Sequence, residues 1–256
     1  MTLCIILLAC GAIALALFLR ERLRGHTLRA ALAKSVVSAI FVGLGCCAWF
    51  HSIWAFMDTH LDFPFLGAFV VPGLVFGLMG DIWLDLKFVY PSDDAPLTYA
   101  GFAAFGVGHI LYQLGLILQY YVRGVLRSGL TVQFVGPGKP GFVLVPMGLA
   151  VVLTFGNVLM EKPMKLRYGQ LKPVVIAYGF LLFFTVLLSG SLALMHGWSE
   201  TSLNVFFVGS ILFALSDLIL SGTYFGEGKD RPADVVLNHV SYYAAQFLIA
   251  FSLAFV

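Results

Sequence analysis

Apolar residues fill the chain in runs of about 20, the number a helix needs to cross a bilayer core, and each run ends in a short cluster of charge, proline or glycine. Eight runs are present, approximately Thr2 to Leu19, Ser35 to Phe56, Phe65 to Leu86, Leu97 to Tyr121, Gly141 to Met160, Pro173 to Met195, Leu203 to Tyr224 and Val235 to Val256. Between them lie breakers such as Arg20-Glu-Arg-Leu-Arg, Tyr90-Pro-Ser-Asp-Asp, Gly136-Pro-Gly-Lys-Pro and Glu161-Lys-Pro. Lipid offers a backbone no hydrogen-bond partner, so runs of this length predict helices. The expected fold class is all-α, a polytopic integral membrane protein of eight transmembrane helices.

Composition turns that expectation into an exclusion. Hydrophobic residues make up 60% of the chain and charged residues 11%, against roughly 25% charged in a soluble domain. A mean hydropathy of +0.95 without a long polar block leaves no room for a soluble domain, so residues 1–256 are read as one transmembrane domain. The net charge of +2 gives no basis for a nucleic-acid partner; the bilayer is the expected surrounding, the cell membrane if the source is bacterial. All four cysteines (Cys4, Cys10, Cys46, Cys47) lie in apolar runs and read as buried hydrophobes.

Basic residues set the expected direction. The first, third, fifth and seventh connections hold 12 of them (Arg20, Arg22, Arg24, Arg29, Lys34; Lys87; Lys162, Lys165, Arg167, Lys172; Lys229, Arg231), whereas the other side holds three, Arg123, Arg127 and Lys139. Lysine and arginine are retained on the cytoplasmic side, which places both termini away from the cytoplasm. The first run has no basic residue before it and five after it, so it is expected to be a reverse anchor rather than a cleaved signal peptide.

Of the charged residues, Asp81, Asp85 and Asp217 fall clearly within the runs, where each costs a few kcal/mol or more unless it faces protein or water. Asp81 and Asp217 lie on the third and seventh helices at nearly one depth, about 8 and 11 Å from the expected cytoplasmic boundary at 1.5 Å per residue. Asp85, one turn beyond Asp81 and beside Lys87, reads as solvated near the interface. The fourth helix presents His109, Tyr112 and Gln113 on one stripe, and the eighth presents Tyr243 and Gln246 one turn apart. Four helices are thus expected to share a polar layer, with Asp81 and Asp217 as the functional pair. Each half of the chain also carries a [GS]-Asp-[IL]-x-Leu segment followed by a stripe with Tyr and Gln, the pattern of a parallel repeat of four plus four helices. Gly101, Gly108 and Gly115, spaced by seven, read as a close-packing face.

Other chemistries fit less well. A zinc site would have to use Asp81, His109, Asp217 and His239, and no H-x-x-x-H or H-E-x-x-H spacing supports it, so no metal or other cofactor is expected. No G-x-S-x-G elbow is present for a serine hydrolase. A proton-coupled transporter or lipid flippase would use the two aspartates as protonation sites; against it no run is visibly broken, although Pro72 and Gly73 offer a point of unwinding in the third helix.

The ordered set Phe76-Gly-Leu-Met-Gly-Asp-Ile-Trp-Leu, Phe105-Gly-Val-Gly-His-Ile-Leu-Tyr, Leu212-Phe-Ala-Leu-Ser-Asp and Ser241-Tyr-Tyr-Ala-Ala-Gln resembles the YhhN-type lysoplasmalogenases, from about Lys34 to the C-terminus. Asp81 matches the family's Gly-Asp, His109 and Tyr112 its His-x-x-Tyr, Asp217 its Ser-Asp, and Tyr242, Tyr243 and Gln246 its Tyr-Tyr-x-x-Gln. Lys34 corresponds to a basic residue that the family follows with proline; here Ser35 follows. Asp85 and His239 do not belong to the pattern, and the segment from Arg123 to Pro140 is a local elaboration. The resemblance implies hydrolysis of the vinyl ether of a lysophospholipid substrate to a fatty aldehyde and a glycerophospho-alcohol. That reaction needs an acid still protonated near neutral pH and an anion beside an oxocarbenium-like cation. A carboxyl removed from water keeps its proton more tightly, and a neighbouring carboxylate pushes the two apart, so Asp81 and Asp217 suit both roles. The division of labour is analogous to that of glycosidases. His109, Tyr112, Tyr243 and Gln246 are expected to support the pair and to orient a water.

Overall fold

The computed structural model describes residues 1–59, 64–122, 140–226 and 231–256. They form eight long helices: α1 (Thr2–Leu23), α2 (Thr27–Thr59), α3 (Phe65–Val89), α4 (Asp94–Leu116), α5 (Gly141–Leu159), α6 (Lys172–Met195), α7 (Thr201–Phe225) and α8 (Pro232–Ser252). Seven, α1 to α7, are long and apolar enough to cross a membrane. The last has the length, at 21 residues, but carries the polar stripe of Asn238, Ser241 and Gln246 that it buries against its neighbours. No strand is formed among the described residues.

Two boundaries differ from the sequence reading. Residues 20–34 contain no proline and are rich in Arg, Leu and Ala, so α1 and α2 extend into the expected loop and leave only Arg24 to His26 between them. Lys34 is therefore a buried helical residue and not part of a connection. The third helix runs unbroken through Pro72. The segment from Arg123 to Lys139 and Lys229 lie outside the described residues.

Helix neighbours follow a closed order. α2 packs on α3, α3 on α4, α4 on α6, α6 on α7, α7 on α8, and α8 returns to α2. This ring encloses the core. α1 leans on α2 and α8 from outside, α5 leans on α6, and each buries little: Cys4, Gly11 and Phe18 in one, Pro146, Ala150 and Thr154 in the other. Most of the remaining large apolar residues of those two helices, among them Ile5, Ile6, Ile13, Leu17, Val152 and Phe155, are exposed, as a lipid-facing surface requires. Exchanging α1–α4 for α5–α8 maps each of these ring contacts onto another, and it maps α1 on α2 onto α5 on α6. These are contacts that a four-plus-four repeat would give.

Small residues let α3 and α4 touch. A Cβ on Gly108 would come 3.1 Å from the Gly73 carbonyl oxygen, and one on Gly101 would strike Leu84 at 2.5 Å. Farther along α3, a Cβ on Gly73 would meet the Tyr112 ring at 2.4 Å and one on Gly77 the Gln246 amide at 2.8 Å. Glycine there makes the space in which two polar side chains of α4 and α8 meet.

Candidate active site

A cavity of about 610 Å³ opens among α3, α4, α6, α7 and α8, at the end of the bundle that carries the α1–α2, α3–α4, α5–α6 and α7–α8 connections. Its volume is in the range of small-molecule sites. Phe102, Phe105, Leu182 and Phe183 supply apolar wall, while Asp81 and Asp217 both line it. The fifth connection borders the same end, where Leu166 bridges to Gly226 and Arg167 N–H donates to the Phe225 carbonyl at 2.8 Å.

Asp81, on α3, is 2% exposed. Its Oδ2 accepts from Ser38 Oγ of α2 at 2.6 Å and from the Tyr242 hydroxyl of α8 at 2.7 Å, and its Oδ1 lies 3.1 Å from Lys34 Nζ. Three donors from two other helices therefore converge on one carboxylate. Behind them the polarity runs in a single direction. Tyr112 donates to Gln246 Oε1 at 3.3 Å, Gln246 Nε2 donates to the Tyr242 hydroxyl at 3.0 Å, and Tyr242 donates onward to Asp81. The Tyr243 hydroxyl stands 3.1 Å from Ser38 Oγ and 3.3 Å from the Lys34 carbonyl.

Asp85 is as buried as Asp81, so the solvated reading is corrected. It is ion-paired to Arg22 of α1, and its Oδ1 is 3.1 Å from the same Lys34 Nζ. Two cations and two carboxylates thus alternate as Arg22, Asp85, Lys34, Asp81. Lipid makes each charge costly alone, and the alternation compensates all four.

Asp217, on α7, is half-buried at the cavity wall. Its Oδ2 accepts from the Tyr178 hydroxyl of α6, and Ser216 Oγ is a distant 3.4 Å from Oδ1. Among the described residues no ion pair involves it. Each aspartate is thus met by a hydroxyl from the second helix of its own half, Ser38 on α2 and Tyr178 on α6, while only Asp81 has a cation.

The other sequence-predicted residues divide. Tyr112, Tyr243 and Gln246 are joined to Asp81 as above. His109 is buried, and its Nδ1 is 3.0 Å from Thr185 Oγ1; Gln113 donates to that same oxygen at 3.1 Å. The α4 stripe is therefore tied to α6 by His109 and Gln113, and only Tyr112 reaches the Asp81 network. His109 approaches the pair through its ring alone, edge-on to Tyr178 at 5.7 Å. The quartet of Asp81, His109, Asp217 and His239 does not assemble: among the described residues no group of three or more His, Cys, Asp or Glu is placed to hold a metal ion.

Sequence reasoning missed Ser38 and Tyr178 altogether, and it placed Lys34 and Asp85 in or near water. The available signal for Tyr178 was its position inside an apolar run and away from the run's ends, where an anchoring tyrosine would stand.

A model of the YhhN family matches residues 52–253. No curated protein matches the chain, and no solved structure does.

Proposed function

The chain belongs to the YhhN family, and from that membership we propose that it is an ether hydrolase, cleaving the vinyl ether of lysoplasmalogens. The observation that carries this reading is that two carboxyl groups in unlike electrostatic surroundings line one apolar-walled cavity.

Asp217, beside which no cation stands among the described residues, is the proton donor. Asp81 is the carboxylate, since Lys34, Ser38 and Tyr242 all donate to it and an ionised carboxylate is the acceptor that such a convergence stabilises. Asp217 delivers its proton to the β-carbon of the alkenyl chain, the carbon–carbon π pair forms the new C–H bond, and the positive charge is shared by the α-carbon and the ether oxygen. Asp81 lies on the other wall and stabilises that cation. Water adds to the α-carbon and returns a proton to Asp217, giving a hemiacetal, whose collapse releases the fatty aldehyde and the glycerophospho-alcohol. No other reactant is consumed. General acid catalysis contributes typically 10² to 10⁴-fold, and a fixed counter-charge in a dry site adds to it.

Detergent-purified protein should release aldehyde from an alkenyl lysophospholipid and none from the saturated alkyl ether, which cannot be protonated to the same cation. Absence of aldehyde together with proton-coupled movement of a solute in sealed vesicles would replace this reading by transport.

A further inference from the structure

Three basic residues line the cavity, Arg22, Lys34 and Lys87. The first two are held in the ion-pair chain with Asp85 and Asp81. Lys87 is held differently. Its nearest acceptors, Thr98 Oγ1 and Asp94 Oδ1, both stand at 3.5 Å, and the ammonium rests 3.7 Å from the centroid of the Tyr224 ring. A charge-assisted contact closes to about 2.7–2.9 Å, and an ammonium has three donors, so these long contacts leave it open to a stronger acceptor. The Asp94 side chain is 63% exposed, so water can take over its carboxylate when another anion reaches Lys87.

Resting on the ether-lipid reading of the cavity, we propose that Lys87, backed by Tyr224, binds the phosphate ester of the lipid substrate at the cavity mouth. The depth fits. Lys87 is six residues beyond Asp81 on α3, a rise of about 9 Å, and Tyr224 is seven beyond Asp217 on α7, about 10 Å, so the pair in contact stands at one level above both carboxyls. In a 1-alkenyl glycerophospholipid seven bonds separate the reacting β-carbon from phosphorus, about 9 Å when extended, with bonds near 1.5 Å and angles near 111°. A lipid with its phosphate on Lys87 thereby brings the carbon to be protonated down to the level of the aspartates. The site selects a single-chain glycerolipid bearing a phosphate ester over the same lipid without one.

The test is ligand binding by the full chain in detergent, followed by thermal shift, with a saturated alkyl-ether lysophospholipid, the matching alkylglycerol and inorganic phosphate. The unsubstituted protein should bind the lysophospholipid more tightly than the alkylglycerol. Lys87→Gln should weaken the lysophospholipid about tenfold or more and leave the alkylglycerol unchanged, while Lys87→Arg keeps the preference. Equal affinity of the unsubstituted protein for both lipids overturns the proposal, as does a Lys87→Gln protein that loses both or neither. A Lys87-dependent shift with inorganic phosphate alone, matching that of the lipid, assigns the residue to a free anion and overturns it equally. The saturated ether is not cleaved, so binding reads the headgroup site even where the alkenyl assay fails, and the two failures are told apart.

Discussion

Lys34 holds its ammonium nitrogen 3.1 Å from Asp81 Oδ1, and this contact distinguishes Asp81 from Asp217 across the cavity. The same nitrogen is 3.1 Å from Asp85, which in turn holds Arg22, so one side chain of α2 separates two carboxylates that α3 places one turn apart. Removing it leaves those carboxylates, each 2% exposed, facing each other without a cation between them.

Lys34→Met is accordingly expected to destabilise the protein by about 3–5 kcal/mol, the cost of breaking a buried ion pair, and to abolish turnover. The double variant Lys34→Met/Asp81→Asn removes one charge of each sign, leaves the Arg22–Asp85 pair intact, and should recover much of the melting temperature in detergent without recovering turnover. Equal melting temperatures for the single variant and the unsubstituted protein would show that the alternating chain does not hold α1, α2 and α3 together.

The hydrogen bonds behind Asp81 should matter less and more gradually. Gln246→Ala removes both the amide that donates to Tyr242 and the oxygen that accepts from Tyr112; Tyr243→Phe removes the hydroxyl beside Ser38. Each bond is worth about 0.5–1.5 kcal/mol net, so turnover should fall roughly two- to tenfold per bond with the fold retained. Steady-state aldehyde release with a parallel melting curve checks this, and unchanged turnover in both variants would return the stripe to packing.

Tyr178 offers a comparison on the other aspartate. Tyr178→Phe keeps the ring against Phe102 and His109 and removes only the hydroxyl that meets Asp217. A loss of turnover with unchanged binding of the saturated ether lipid is expected, since in the proposed mechanism the hydroxyl orients the proton donor while the ring only fills the wall. Weaker lipid binding with unchanged turnover would make Tyr178 a lining residue instead.

How far the sequence carried the fold and the site follows from which costs are large. Spans were legible because an unsatisfied backbone in lipid is prohibitive, and Asp81 and Asp217 because a carboxyl in the middle of a span demands a reason. Lys34 and Asp85 were misread because charges near a span end are ordinarily interfacial, and here the two helices continue past the expected boundary. Ser38 and Tyr178 gave little warning, since hydroxyls in membrane helices are commonly satisfied by their own backbone; Ser35, Ser189 and Ser241 all bond to a carbonyl three or four residues back. His109 shared a stripe with Tyr112 as expected, but the stripe spans two interfaces. Which neighbour each residue meets is set by the order of helices around the ring, which periodicity does not encode.

Orientation has an independent check. The division of basic residues, 12 to 3 along the sequence and 11 to 3 with the buried Lys34 left out, predicts that both termini face away from the cytoplasm. A reporter that is active only outside the cytoplasm, fused after Val256, should be active, and one that requires the cytoplasm should be silent. The reverse result would place the cavity mouth, with Arg22 and Lys87, on the other side of the bilayer.

The pair of aspartates gives the decisive prediction. Asp→Asn preserves size and one acceptor oxygen while removing both a transferable proton and a negative charge. Asp217→Asn leaves Tyr178 a carbonyl oxygen to donate to and disturbs no ion pair among the described residues, so the protein should fold, melt near the unsubstituted temperature and still bind the saturated ether lipid. Its aldehyde release should drop by at least about 10²-fold, the lower bound for loss of a general acid. Asp81→Asn leaves Lys34 paired with Asp85 and leaves Ser38 and Tyr242 an acceptor, so folding should again survive. Its turnover should fall at least as far, because the cation then forms without its counter-charge. Solvent deuterium should slow aldehyde release by the unsubstituted protein, since the proposed mechanism makes proton transfer to carbon the slow step. Near-normal aldehyde release from both variants would mean that the carboxyls only bind helices to one another, and the mechanism would have to be abandoned.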